Sequence, residues 1–162
     1  MSAPISVTLN DVKEARTRIR EFVNLSPCTE SPRLSSQLGC KLFLKMENLQ
    51  RTGAYKDRGA MNAVLSLDDA HKKAGVIAAS AGNHAQGLAY AAQRNNVHAT
   101  IVMPDGTPTV KVQQTAGHGA RVILHGEKLE EATALAKQMA EDEGLVFLHP
   151  FDDPLVMAGQ GT

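Results

Sequence analysis

Hydrophobic positions along the chain change rhythm near residue 75. Before it, helical spacing dominates: Val12, Ala15, Ile19, Phe22 and Val23 fall on one face of a helix predicted over 8–23. Lys13, Glu14, Arg16, Arg18 and Arg20 lie mostly elsewhere, and Thr8 with Asp11 three residues on has the form of a capping box. Residues 24–40, rich in Ser, Pro and Gly, read as irregular chain with at most a short helix near 34–38. A strand is predicted over 41–45, then a polar turn containing Gly53. A helix leaves that turn with Ala60, Ala63, Val64 and Leu67 on its core-facing stripe.

From residue 75 short apolar runs alternate with amphipathic helices. Strands are predicted over 75–79, 98–103, 120–124 and 145–148, and helices over 84–94, 109–115 and 129–143. Leu129, Ala132, Ala136, Met139 and Ala140 form the buried side of the last helix. Continuous apolar strands joined by helices are the signature of right-handed βαβ units. The predicted fold class is therefore α/β, a parallel open sheet with helices on both faces. No internal repeat or low-complexity stretch interrupts it.

Composition changes this picture little. The length of 162 residues favours one domain of ordinary size, and 43% apolar residues suffice for a core. Seventeen basic and seventeen acidic residues are scattered to a net charge of zero, so no basic stripe argues for nucleic acid and no charged tail for a membrane surface. The arginines of the first helix are better read as a solvated face than as phosphate ligands. No apolar run reaches membrane-spanning length, and the first residues lack a basic stretch followed by an apolar one. Cys28 and Cys40 have no metal or redox spacing and suit a reduced setting; the six histidines show no zinc-type spacing. A soluble, cytoplasmic chain is expected.

Two stretches carry candidate chemistry. The first is the turn around Lys56, placed at or just before the first turn of its helix. A cation there is unfavourable for the helix, whose N-terminus carries positive partial charge. That field and partial burial would lower the lysine pKa and free an amine for nucleophilic work. The second stretch, Ser80-Ala81-Gly82-Asn83-His84-Ala85-Gln86-Gly87, lies at the carboxyl end of a predicted strand and opens a helix. Ligands bind there in open α/β sheets, and first-turn N–H groups favour an anion. A dinucleotide fingerprint fails because His84 stands where a glycine is needed, and a P-loop fails because Leu88 and Ala89 replace its Lys and Ser/Thr.

The segment Ala54-Tyr55-Lys56-Asp57-Arg58-Gly59-Ala60, with Glu47 upstream, resembles the lysine motif of the fold-type II pyridoxal-phosphate enzymes. Ser80-Ala81-Gly82-Asn83-His84 resembles the same family's Ser-x-Gly-Asn-His segment, and His84-Ala85-Gln86 its dehydratase and racemase branch. Met103-Pro104, Pro108, Lys111, Gly119 to Val122, His149 to Asp152 and Ala158 to Thr162 extend the likeness along nearly the whole chain. The resemblance implies pyridoxal 5'-phosphate as cofactor, held by Lys56 with Tyr55 and Asn83 also contacting it, the Asn83 side chain facing the ring hydroxyl. It implies that Ser80, Ala81, Gly82, Asn83 and His84 receive the substrate carboxylate, and that Lys56 removes the Cα proton. The implied reaction is elimination and deamination of L-threonine or L-serine to a 2-oxo acid and ammonia.

Serine racemases usually place a second Ser where this chain has Ala81, which favours a dehydratase. A racemase-like or other hydroxy-amino-acid dehydratase activity is the alternative within the fold. The family chain continues well beyond the equivalent of Thr162, through its phosphate-cradling glycine loop. The chain is accordingly read as an N-terminal portion: residues 1–68 the start of a large domain, 72–149 a small α/β domain, and 150–162 the return. A homo-oligomer is expected at full length. The isolated chain is expected to be inactive, or at most a small binding or interaction domain.

Overall fold

A computed structural model of the chain describes residues 7–162, so the first six residues of the expected large-domain segment lie outside the described part. Helix α1 (Leu9–Ile19) opens on the expected capping box: the Asp11 N–H donates to Thr8 Oγ1 at 3.3 Å, and the Thr8 N–H donates to Asp11 Oδ2 at 2.7 Å. It ends at Ile19 rather than at Val23. The N–H groups of Phe22 and Val23 both turn back to the Ile19 carbonyl, which keeps their side chains on the core after the helix has stopped.

The stretch expected to be irregular holds more order than its composition signals. Strand β1 (Cys28–Glu30) is followed by helix α2 (Pro32–Leu38), with Pro at its first position and Gly39 left-handed behind it at φ 65°. Strand β2 (Phe43–Lys45) pairs antiparallel with β1, Cys28 opposite Lys45. This two-stranded ribbon stands apart from the main sheet and is exposed on both faces. Strand β2 lies inside the strand expected over 41–45, whereas β1, three residues without a buried face, offers no alternation to read.

Helix α3 (Lys56–Leu65) differs more deeply from its expected single stripe. Every residue from Asp57 to Val64 is buried, because α1 and two later helices enclose it. Helix α4 (Asp69–Ala74), too short for a periodic signal, is capped by the Asp68 carboxylate accepting the His71 N–H at 2.8 Å.

The main sheet follows as expected. Strands β3 (Val76–Ala79), β4 (Ala99–Met103), β5 (Arg121–Leu124) and β6 (Val146–Phe147) are parallel, in the spatial order β5-β4-β3-β6. Helices α5 (Asn83–Arg94) and α6 (Thr109–Ala116) cover one face, and α7 (Leu129–Glu143) covers the other. Alternation along β3 assigns the faces: Val76 and Ala78 join the core under α5 with Leu88 and Ile101, while Ile77 and Ala79 meet Ala132 and Ala136 of α7. Both faces are covered, so the inner strands are buried throughout and apolar except at Thr100.

Helix α8 (Pro154–Gln160) was not foreseen. Asp153 caps it, accepting the N–H groups of Leu155 at 2.8 Å and Val156 at 3.1 Å. It crosses α3 where glycine meets glycine. A Cβ on Gly159 would lie 2.7 Å from both the Arg58 carbonyl oxygen and Gly59 Cα, and one on Gly59 would lie 2.7 Å from the Val156 carbonyl oxygen. Only hydrogen fits between these backbones, and that contact ties the end of the chain to the lysine helix.

Candidate active site

Lys56 is the first residue of α3, directly after Tyr55. The turn before it needs Gly53, whose φ of 78° strains other side chains. The two residues that follow the lysine are tied back to the segment before it. Arg58, 6% exposed, donates from Nε to Glu47 Oε2 at 2.7 Å and from Nη2 to Glu47 Oε1 at 2.9 Å, while the Ser26 hydroxyl also donates to Glu47. Burial opposes ionisation of Glu47, but the hydrogen bonds from Arg58 and Ser26 and the Arg58 charge outweigh it, holding the carboxyl at about 2. Asp57, 1% exposed, accepts the Thr52 N–H at 3.0 Å and the Thr52 hydroxyl. Burial raises its pKa against those bonds.

Held between these two clasps, the Lys56 side chain is half-buried. Its Nζ donates to the Pro150 carbonyl at 2.6 Å and stands 5.4 Å from the centre of the half-exposed Tyr55 ring. Burial lowers its pKa. The reading from the sequence invoked the helix field as well; desolvation is the cause resolved in the structure.

The second stretch is built differently. Ser80 ends the β3 ladder, donating its N–H to the Val102 carbonyl at 3.1 Å, and the Gly82 N–H donates to Ser80 Oγ at 3.3 Å. Gly82 holds the N-cap position and Asn83 is the first helical residue of α5. Among the described residues, the first-turn N–H groups of Asn83, His84 and Ala85 find no acceptor. Four such donors are left at any helix start, and they attract anions. The Asn83 side chain is exposed, Ser80, Ala81 and Gly82 are half-buried, and a Cβ on Gly82 would meet nothing within 4 Å. The loop therefore faces open space.

His84 points the other way. Its side chain is 3% exposed, with Nε2 3.4 Å from the Leu148 carbonyl and Nδ1 without a partner among the described residues. Burial lowers its pKa to about 4; the Leu148 carbonyl opposes the shift, and the charges of Lys56 and His149 add to it. The imidazole is neutral at physiological pH, so an anion at this position would meet the backbone N–H of His84 rather than a charged ring.

Packing of α3 on α5 brings the two stretches together. Gly87 allows it: a Cβ there would lie 3.2 Å from the Lys56 carbonyl carbon. The Pro150 carbonyl, the Thr52–Asp57 clasp and the His149 turn were not anticipated as parts of the site. For the Pro150 carbonyl and the His149 turn the signal in the sequence is the likeness of residues 149–152 to the family; for the clasp it is the place of Asp57 in the lysine motif.

A lysine amine with lowered pKa, beside a helix start offering unclaimed N–H groups, agrees with the comparison to known proteins. Residues 19–162 match the family model described as pyridoxal-phosphate dependent enzyme. The chain belongs to that family. It is 47% identical over 155 residues to L-threo-3-hydroxyaspartate ammonia-lyase of Saccharomyces cerevisiae, covering 96% of this chain and 48% of the yeast protein. It is 49% identical over 156 residues to L-threonine ammonia-lyase of Thermotoga maritima, covering 96% and 39%. Its fold is similar to the crystal structure of serine racemase from Dictyostelium discoideum, with a TM-score of 0.88 and 39% identity over 94% of this chain and 50% of that one. The chain thus spans about half or less of the length of the proteins it matches.

The residues present fit the family's cofactor. Lys56 supplies an amine whose pKa burial lowers, and the exposed Asn83 amide has no protein partner among the described residues to compete for it. Among the described residues no helix is long and apolar enough to cross a membrane.

Proposed function

We propose that the protein to which this chain belongs deaminates L-threonine or L-serine by β-elimination, giving a 2-oxo acid and ammonia. The observation that carries this reading is the pairing of the half-buried Lys56 amine with the open α5 N-terminus. When bound, pyridoxal phosphate supplies an electron sink for the charge that develops at the substrate Cα. Lys56 holds the cofactor and then takes the Cα proton on Nζ, general-base work worth about 10²–10⁴-fold. The N–H groups of Asn83, His84 and Ala85 orient the substrate carboxylate, with Ser80, Ala81 and Gly82 shaping the loop. The Asn83 amide donates toward the cofactor's ring hydroxyl, and Tyr55 flanks the lysine.

The similarity to a serine racemase supports a second reading. It is weaker, because position 81 carries alanine and offers no proton donor or acceptor. Product analysis separates the two: the full-length protein with pyridoxal phosphate should convert L-threonine to 2-oxobutyrate and L-serine to pyruvate. Accumulation of D-serine without 2-oxo acid would overturn the lyase in favour of the racemase.

We read residues 1–68 as part of a larger domain, 72–149 as the small domain, and 150–162 as the return. Support comes from the ribbon of β1 and β2, exposed on both faces, with Leu25, Leu38 and Phe43 more than half exposed beside or within it. A cytoplasmic homo-oligomer is the proposed state of the full-length protein.

A further inference from the structure

His149 follows β6, and its ring closes a tight turn. Nδ1 accepts the backbone N–H of Asp152 at 2.8 Å and that of Phe151 at 3.3 Å. Only a bare ring nitrogen accepts, so a neutral imidazole here carries its proton on Nε2. The arrangement is that of an Asx turn with an imidazole nitrogen in place of the side-chain oxygen. The ring stands edge-on to Phe151, centroids 4.5 Å apart, and to Phe147 at 6.3 Å.

Pro150 sits inside this turn, and its carbonyl accepts the Lys56 Nζ at 2.6 Å. That carbonyl and the Phe151 N–H belong to one planar peptide unit and point in opposite directions. The proline ring fixes φ at residue 150, leaving ψ as the soft dihedral that aims the plane. Anchoring the N–H on one side therefore orients the carbonyl on the other.

We propose that His149 is a positioning residue for the Lys56 amine: by accepting the Phe151 and Asp152 N–H groups it orients the Pro150–Phe151 peptide and presents the Pro150 carbonyl to Lys56 Nζ. The proposal rests on the reading of Lys56 as the cofactor lysine. The carbonyl is the acceptor that holds the amine in place while it is free, and it favours the ammonium form, since bonds from charged donors are the stronger ones.

The test is acetic anhydride labelling of Lys56 in the cofactor-free full chain, followed by mass spectrometry across pH. His149→Phe keeps an edge-on ring but removes the acceptor; His149→Asn restores an acceptor at a similar place. Loss of one hydrogen bond to the ammonium should make Lys56 in His149→Phe label about fivefold faster below its pKa. His149→Asn should stay close to the parent chain. A ring protonated on both nitrogens could not accept these N–H groups, and its removal would act in the opposite sense, raising the lysine pKa and slowing the reaction. The other ionisable ring that senses the Lys56 charge, His84, is kept neutral by burial.

A His149→Phe chain in which Lys56 labels like the parent, or a His149→Asn chain that changes as much as His149→Phe, overturns the proposal. Should His149→Phe fail to fold, nitrogen-15 NMR of the parent chain decides: a bare Nδ1 at His149 supports the turn, and a protonated Nδ1 removes it. Trapping of pyridoxal phosphate is scored apart. A chain that labels as expected yet takes up no cofactor defeats the functional reading and leaves the positioning role standing.

Discussion

The lysine turn and the 80–84 loop are brought together by the packing of α3 on α5 but are held by opposite means. Side chains lock the first: half-buried Glu47 to buried Arg58, half-buried Thr52 to buried Asp57. The second is held by strand β3 behind it and helix α5 ahead, with its own N–H groups left unclaimed and Asn83 exposed. A nucleophile gains from being fixed, since misplacement of a reacting atom costs rate steeply. An anion-receiving loop gains from leaving its donors free. Substitutions in the lysine turn should therefore cost stability, and those in the loop should cost ligand binding.

The largest expected effect breaks the lock. Arg58→Ala leaves the Glu47 carboxylate without its ion partner, and removal of one member of a buried pair costs about 3–5 kcal/mol. Urea unfolding measures it, and a loss below about 1 kcal/mol would mean that the turn is not held by this pair. Gly159→Ala attacks the same turn from α8, pushing a methyl group into the Arg58 carbonyl; overpacking of this kind costs about 1–3 kcal/mol.

Acid separates the two regions. Glu47 has a folded pKa of about 2, below its unfolded value of 4.5, so its contribution is complete above 4.5 and is lost as pH falls toward 2. His84 is a base whose folded pKa of about 4 lies below 6.5; the unfolded chain takes up its proton first, so stability is complete above 6.5 and declines toward pH 4. Asp57, its pKa raised by burial, works against both, contributing more at low pH and less as it ionises. Stability should fall in two stages of about 1–3 kcal/mol each, after discounting the Glu47 stage for solvent screening. His84→Gln should remove the upper stage alone.

The smallest effect on stability belongs to Asn83→Ala. An exposed side chain with no protein partner among the described residues should change unfolding by about 0.5 kcal/mol or less. Affinity for pyridoxal phosphate in the full-length protein should still weaken severalfold. Unchanged affinity would remove Asn83 from the site.

The sheet was legible in the sequence because β3 and β4 are largely apolar runs with both faces covered, and α5 and α7 are long enough for their periods to register. Of the ribbon, β2 was legible inside the run 41–45, whereas β1 was not, because a three-residue strand exposed on both faces carries no pattern. Helix α8 escaped notice for a related reason: Gly159 and Ala158 bury almost no side chain, and the close backbone contact with Gly59 leaves no mark in hydrophobicity. Lys56 and the 80–84 segment were recognised by resemblance rather than by periodicity. The inward turn of His84 and the Pro150 carbonyl depend on packing between segments more than sixty residues apart, which local sequence does not encode.

The central claim is that Lys56 is the residue to which the cofactor attaches. Borohydride reduction of the full-length protein with pyridoxal phosphate, followed by peptide mass spectrometry, addresses it without assuming any substrate. The account predicts a single reduced pyridoxyl adduct on Lys56, absent from Lys56→Ala. A folded protein that carries the adduct on another lysine, or takes up none, would contradict it.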